Sequence, residues 1–80
     1  METKILIVDD EEKIRTILYH FLTDEGFKVK AAETGIKALN MLDTFKPEIV
    51  LMDQNMPGLN GIETMEEIKS RYPETVVIVI

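Results

Sequence analysis

Three short apolar runs constrain the fold of this chain more than any other feature. They cover residues 5–8, 49–52 and 76–80, and each is too short for a helix and rich in β-branched side chains. Unbroken apolar runs of this kind predict strands that are buried on both faces of a sheet. A fourth segment, 27–31, alternates apolar and polar residues and carries two lysines, which is typical of an edge strand.

Helical patterns separate these four segments. The residues that define their faces are Ile14, Ile17, Leu18, Phe21 and Leu22 in the first, Gly35, Ala38, Leu39 and Leu42 in the second, and Ile62, Met65, Ile68 and Lys69 in the third. Gly26 is a favourable stop for the first helix, and Thr34 is a favourable cap for the second. Asn60 can cap the third, with Glu63 at capping-box spacing and Pro73 at its end.

The order of elements is therefore β-α-β-α-β-α-β, which predicts a doubly wound α/β domain with a parallel sheet over residues 1–80. No helix follows the last strand, so part of one sheet face should lack its cover. Burying such a patch would be worth on the order of 10 kcal/mol. We therefore expect the domain to be incomplete after its fourth strand, and we expect the 80-residue chain to form a homo-oligomer through the open strand and the uncovered face.

Composition excludes several classes of function. A net charge of −6 with nine scattered Lys and Arg argues against direct nucleic-acid contact and against binding to anionic membranes. The absence of cysteine excludes disulfides and zinc-thiolate sites. No secretory leader is recognisable and no apolar stretch approaches the roughly 18 residues that a membrane span needs, so a cytoplasmic protein is expected.

Three aspartates follow two of the predicted strands. Asp9 and Asp10 come after the first apolar run, and Asp53 comes directly after the third. If these strands are neighbours, the carboxylates converge at one edge of the sheet, where open α/β sheets bind ligands. Clustered carboxylates repel one another unless a cation binds, and an oxygen-only ligand set favours Mg²⁺. Two structural roles remain open: residues 9–12 can stabilise the start of a helix, and Asp53 can form an Asx turn.

Two segments carry a family resemblance. Residues 5–11 (ILIVDDE) and 49–61 (IVLMDQNMPGLNG), with the spacing between them, closely resemble the CheY-like receiver domains of bacterial two-component response regulators. The resemblance covers all 80 residues. It implies a flavodoxin-like sheet with strand order 2-1-3-4, from which the fifth strand and the last two helices are missing. It also implies a role in phosphorelay signal transduction rather than as an enzyme, with a sensor histidine kinase or phosphotransfer protein as partner.

The resemblance also assigns roles to residues of the site. Asp53 would be the phosphoacceptor, and Asp10 and Asp53 would bind Mg²⁺ or Mn²⁺ directly. Asp9 would act through a bound water, and Asn55 would supply its backbone carbonyl. Pro57 and Gly61 would shape the adjoining loop. The family's Ser or Thr after the fourth strand and its Lys after the fifth have no counterpart in these residues, so full activity is not implied.

Two other functions compete with this interpretation. An aspartate-nucleophile phosphohydrolase would need a second acid two residues after the nucleophile, where this chain has Asn55. A receiver that is not phosphorylated could act as an interaction or dimerisation module. His20 is expected to be a solvated side chain on the first helix, and the methionines at 41, 52 and 65 are expected in the core.

Overall fold

The computed structural model describes residues 2–54 and 61–80 as a four-stranded parallel sheet with three helices. The elements are β1 (Lys4–Val8), α1 (Glu12–Asp24), β2 (Lys28–Ala32), α2 (Gly35–Phe45), β3 (Ile49–Met52), α3 (Gly61–Arg71) and β4 (Val76–Val79). The strand order is β2-β1-β3-β4, so the predicted order is confirmed. The bounds of β2 differ from the predicted segment by one residue at each end, and its predicted position at the sheet edge is confirmed.

The alternation of side chains along β1 divides the core into two layers. Leu6 and Val8 are fully buried in a cluster with α2 and α3, whose other members are Ala32, Ala38, Leu42, Phe45, Val50, Met52 and Ile68. Ile5 and Ile7 are also buried, but they point to the opposite face, where α1 contacts β1 and β2. The helices therefore lie on both faces of the sheet, as a doubly wound fold requires.

The ends of the first two helices follow the signals in the sequence. Gly26 has φ +96° after α1, and the amides of Gly26 and Phe27 donate to the carbonyls of Thr23 and Leu22. This pair of bonds is the Schellman arrangement that glycine permits. Thr34 caps α2 by accepting a hydrogen bond from the amide of Lys37 at 3.1 Å. Both predicted boundaries are confirmed.

The buried face of α3 differs from the predicted one. Gly61, Thr64 and Ile68 are buried, whereas Ile62 is exposed and Met65 is only half-buried. The physical reason is that Gly61 packs directly on the backbone after β3, which fixes the rotation of the helix and turns Thr64 inward. Lys69 is exposed, and its ammonium donates to the carbonyls of Pro73 and Thr75 beyond the helix.

The apolar stripe of α1 is wider than its contact with the sheet. Ile14, Leu18 and Leu22 are half-buried, whereas Ile17 and Phe21 are exposed. Arg15 and Tyr19, on the other flank of the helix, line a small cavity with Ala31 of β2. Ile17 and Phe21 must therefore face the β3–β4 side of the sheet.

No described element covers that side of the sheet. Five apolar side chains on that side are between 46% and 63% exposed. They are Ile17 and Phe21 of α1, Val76 and Ile78 of β4, and Ile80. We call these five residues the open apolar face. Its presence confirms the prediction that one sheet face is partly uncovered.

Two buried threonines provide a test of the core. Within the part of the chain that the structure describes, the hydroxyl of Thr64 has no hydrogen-bond partner, whereas the hydroxyl of Thr75 donates to the Pro47 carbonyl at 3.3 Å. We expect Thr64→Val to raise the free energy of unfolding by about 1 kcal/mol, because an unpaired buried polar group is removed. The matched change Thr75→Val should lower it by about 1 kcal/mol, because the Pro47 carbonyl loses its partner. Urea unfolding followed by circular dichroism measures both, and a loss of stability in Thr64→Val would contradict the assignment.

Candidate functional site

The register of β1 and β3 positions the residues that follow these strands. Val8 lies opposite Met52 in a parallel ladder, so Asp9 and Asp53 leave the sheet side by side at its C-terminal edge. The amide of Asp53 donates to the Val8 carbonyl at 2.8 Å. The amide of Asp9 donates to the Ala32 carbonyl of β2 at 3.1 Å. Both aspartates therefore have backbones that are fixed by the sheet.

The three predicted aspartates meet in one cluster. Each of Asp9, Asp10 and Asp53 offers a carboxylate oxygen, and these oxygens lie within 4.8 Å of one another. Asp9 is buried, Asp53 is half-buried and Asp10 is exposed. Ligands at opposite corners of a Mg²⁺ octahedron lie about 4 Å apart, so the spacing is close to what one ion requires. The predicted convergence of these side chains is present.

The chemistry of the cluster fits a hard divalent cation. Its donors are all carboxylate oxygens, with no histidine or cysteine in the group that the described residues form. Three negative charges at this distance repel one another, and a dication would relieve that repulsion. The cluster is also exposed to solvent at Asp10.

Helix stabilisation accounts for part of the acidic run. Glu11 occupies the N-cap of α1 but makes no side-chain cap hydrogen bond, and Glu12 is the acidic residue of the first turn. Asp9 Oδ1 instead accepts a hydrogen bond from the Glu11 amide at 2.8 Å and closes a local turn. This turn orients the carboxylate of Asp9 within the cluster.

The sequence did not indicate one polar contact of this corner. Arg15 Nη1 donates to the backbone carbonyl of Asp9 at 2.8 Å. The only available signal was the position of Arg15, one turn into a helix that begins after the aspartates. Asn55 and Pro57, which the resemblance places at the site, and Asn60, the predicted cap of the third helix, lie outside the described residues.

Gly61 brings α3 close to the backbone of the proposed phosphoacceptor. A Cβ placed there would lie 2.5 Å from the Asp53 carbonyl oxygen and 2.7 Å from the Gln54 Cα. The Gly61 amide also donates to the Gln54 carbonyl at 3.0 Å. A glycine is therefore needed for close packing beside the site.

A cavity of the described residues lies elsewhere. It has a volume of about 600 Å³ and lies at the opposite edge of the sheet, with a lining that includes Leu42, Lys46, Pro47, Tyr72 and Thr75. It does not contain the carboxylate cluster.

The glycine contact predicts the effect of a substitution. We expect Gly61→Ala to lower the free energy of unfolding by about 1–3 kcal/mol, because the added methyl group overlaps backbone atoms. It should also weaken Mn²⁺ binding, because the chain around Asp53 must move. Chemical unfolding and a Mn²⁺ titration followed by electron paramagnetic resonance would measure the two effects.

Gly26→Ala provides the control for this experiment. A Cβ at Gly26 has open space, but its φ of +96° strains any other residue, at a cost of about 1–2 kcal/mol. Gly26→Ala should therefore lose stability and keep its Mn²⁺ affinity. Equal Mn²⁺ affinities in both variants would disprove the role of Gly61 at the site.

Comparisons with known proteins agree with the fold. Residues 5–80 match the family model of the response regulator receiver domain. The chain is 40% identical over 76 residues to the chemotaxis protein CheY of Listeria monocytogenes, covering 94% of this chain and 64% of that protein. It is 39% identical over 69 residues to the sporulation initiation phosphotransferase F of Bacillus subtilis, covering 86% of this chain and 56% of the relative.

A solved structure extends the agreement to three dimensions. The structure of the chemotaxis protein CheY4 of Vibrio cholerae superposes with a TM-score of 0.94 at 31% identity, covering 99% of this chain and 68% of CheY4. The chain spans less than two thirds of the length of the two curated relatives described above. The match of the family model over almost the whole chain, with the carboxylate cluster at the expected edge of the expected sheet, shows that the chain belongs to the response regulator receiver domain family.

Proposed function

We propose that this chain is a phosphorelay receiver that accepts a phosphoryl group on Asp53 in a Mg²⁺-dependent reaction. The donor would be a phosphohistidine of a sensor histidine kinase or of a phosphotransfer protein. The observation that carries the proposal is the convergence of Asp9, Asp10 and Asp53 within 4.8 Å at the C-terminal edge of neighbouring strands. Membership of the receiver family supports the same conclusion.

The half-buried position of Asp53 suits a carboxylate nucleophile. One of its oxygens would attack the phosphorus, so that an O–P bond forms as the N–P bond of the phosphohistidine breaks and its electron pair returns to the imidazole nitrogen. The ladder bond from the Asp53 amide to Val8 holds the backbone during this step. The product is an aspartyl phosphate, and no further reactant is consumed.

The remaining residues would hold the metal and neutralise charge. We propose that Asp10 and Asp53 are direct ligands, that Asp9 acts through a water, and that Asn55 supplies its backbone carbonyl. The bound Mg²⁺, or Mn²⁺ in its place, would offset the charge that builds up between the carboxylates and the phosphoryl group. Without it, the incoming phosphoryl group would meet three negative side chains.

The same site argues for a signalling role instead of steady hydrolysis. A phosphohydrolase of this type would need an acid at position 55 to protonate its leaving group, and the residue there is Asn. At most, the domain would catalyse its own phosphorylation and dephosphorylation. Rapid, sustained turnover of a generic phosphate ester by the purified chain would favour the hydrolase instead.

A substitution of the phosphoacceptor tests the proposal. With acetyl phosphate and Mg²⁺, the wild-type chain should gain the mass of one phosphoryl group, and Asp53→Asn should gain none, because the amide is not a nucleophile here. Asp24→Asn is the matched control, since Asp24 is an exposed carboxylate at the far end of α1. Intact-protein mass spectrometry measures the gain, and circular dichroism checks that each variant is folded.

Two outcomes would count against the assignment. Phosphorylation of Asp53→Asn at the wild-type rate would move the acceptor to another residue. Complete absence of a Mg²⁺-dependent mass gain in the wild-type chain, and in any longer product of the same gene, would favour the interaction-module alternative.

We further propose that the receiver unit in this chain is incomplete on its C-terminal side and that the 80-residue chain associates with a second copy of itself. The five residues of the open apolar face are about half exposed or more, and β4 lies at the edge of the described sheet with a free row of backbone groups. Among the described residues, no helix is long and apolar enough to cross a membrane. We propose that the protein is cytoplasmic. Its acidic net charge argues against direct contact with nucleic acid.

The position of Ile78 allows this association to be tested. Ile78→Glu should raise the dissociation constant of the oligomer at least about tenfold, because a charge would be buried at the contact. Ile36→Glu is the control: Ile36 is also an exposed isoleucine, but it lies on α2, away from the open apolar face. Sedimentation velocity over a range of concentrations measures the association, and a compact wild-type monomer at all concentrations would refute it.

A further inference from the structure

We infer that Arg15 is a positioning residue that fixes the Asp9–Asp10 corner for metal binding. The metal-binding part of this inference rests on the proposed function. The structural part concerns the metal-free chain and can be tested by itself.

The contact that carries the inference is a single short hydrogen bond. Arg15 is half-buried on α1, and its Nη1 donates to the Asp9 backbone carbonyl at 2.8 Å. Its own amide donates to the Glu11 carbonyl at 3.1 Å, so the backbone of Arg15 is fixed by the first turn of the helix. The side chain therefore links an anchored helical position to the loop between β1 and α1.

The carbonyl that Arg15 binds belongs to the peptide group that joins Asp9 to Asp10. This group is planar, so fixing its oxygen also fixes the direction in which the chain enters Asp10. Asp10 is exposed and makes no hydrogen bond of its own within the described part of the chain. The orientation of Asp10, which we propose as a direct ligand, thus depends on its neighbours.

The sheet fixes the backbone of Asp9, but few other contacts of the described residues hold the loop that follows it. The N-cap residue Glu11 makes no side-chain cap hydrogen bond, and α1 has no fully buried residue. Among the described residues, the other hydrogen bonds of residues 9–11 are those from the Asp9 amide to the Ala32 carbonyl, from the Glu11 amide to Asp9 Oδ1 and from the Arg15 amide to the Glu11 carbonyl. Arg15 is the described side chain that ties the Asp9–Asp10 peptide to the helix.

The charge of Arg15 makes the inference easy to test, because charge and position have opposite effects. The guanidinium of Arg15 is hydrogen-bonded to the backbone of Asp9 and would repel a dication bound at the cluster, so its removal should strengthen metal binding by simple electrostatics. A loss of positioning should weaken binding instead, as happens when groups that orient metal ligands are removed. The sign of the change distinguishes the two effects.

The other charges that face Arg15 do not alter this reasoning. Glu33 follows β2, and its pKa is lowered mainly by a hydrogen bond and the charge of Lys37, with a smaller contribution from Arg15. Glu33 and Lys37 form an exposed ion pair with each other. Lys13 is exposed in the first turn of the same helix, next to Glu12.

The experiment compares Arg15→Met with Lys13→Met by Mn²⁺ titration of the 80-residue chain. Lys13→Met removes a positive charge near the site and leaves the Asp9 carbonyl contact intact, so its affinity should be unchanged or slightly higher. Arg15→Met should bind Mn²⁺ about tenfold more weakly. Arg15→Lys retains the charge but lacks the planar donor group, and it should lie between Arg15→Met and the wild type.

Hydrogen exchange in the metal-free protein provides the second measurement. The Glu11 amide is protected by Asp9 Oδ1, and this amide should exchange faster in Arg15→Met than in the wild type because the turn loosens. Weaker Mn²⁺ binding together with faster exchange supports the inference. Binding that is unchanged or tighter, or exchange that is unchanged, overturns it.

The two measurements also separate this inference from the proposed function. If the wild-type chain binds no Mn²⁺, the metal site and the metal-binding role of Arg15 are both refuted, and the exchange rates still decide whether Arg15 holds the turn. If the wild type binds Mn²⁺ and Arg15→Met binds equally well, the inference alone is refuted. Should Arg15→Met fail to fold, Arg15→Lys decides by the same two measurements.

Discussion

The parallel pairing of β1 with β3 is the constraint on which the rest of the site depends. Because Val8 and Met52 are partners in register, the residues that follow them leave the sheet together and their carboxylates converge. A slip of one residue would turn every side chain of one strand to the other face of the sheet. The fully buried Leu6, Val8 and Val50 specify the register, so the same apolar contacts that stabilise the fold also position the acidic cluster.

Two close contacts refine what the sheet provides. Gly61 lets α3 begin against the backbone of Asp53, and Arg15 reaches from α1 to the carbonyl of Asp9. Helix α3 thus contacts the segment that carries Asp53, and α1 contacts the segment that carries Asp9 and Asp10. Helices from both faces of the sheet therefore contact the site, although every proposed side-chain ligand comes from a loop.

Local signals predicted the fold well and the helix faces less well. The strands were predicted from short apolar runs. The ends of two helices were predicted from Gly26 and Thr34, because each of these residues affects backbone atoms close to it in the chain. The apolar stripe of α1 did not show which of its residues would be buried, because burial depends on what lies opposite. Ile17 and Phe21 are apolar at helical spacing, yet they are exposed, since no described element covers the β3–β4 side of that face.

The sequence by itself determined the order of elements, the parallel sheet and the identity of the three acidic residues, because apolar periodicity and residue type are properties of the chain. Tertiary structure alone decided the rotation of α3, the burial of Thr64 and the contact between Arg15 and Asp9. These features depend on how segments that are separate in the sequence pack against one another. They result from the backbone packing at Gly61 and from the hydrogen bond of the Arg15 guanidinium. Neither contact can be recognised from a periodic pattern in the sequence.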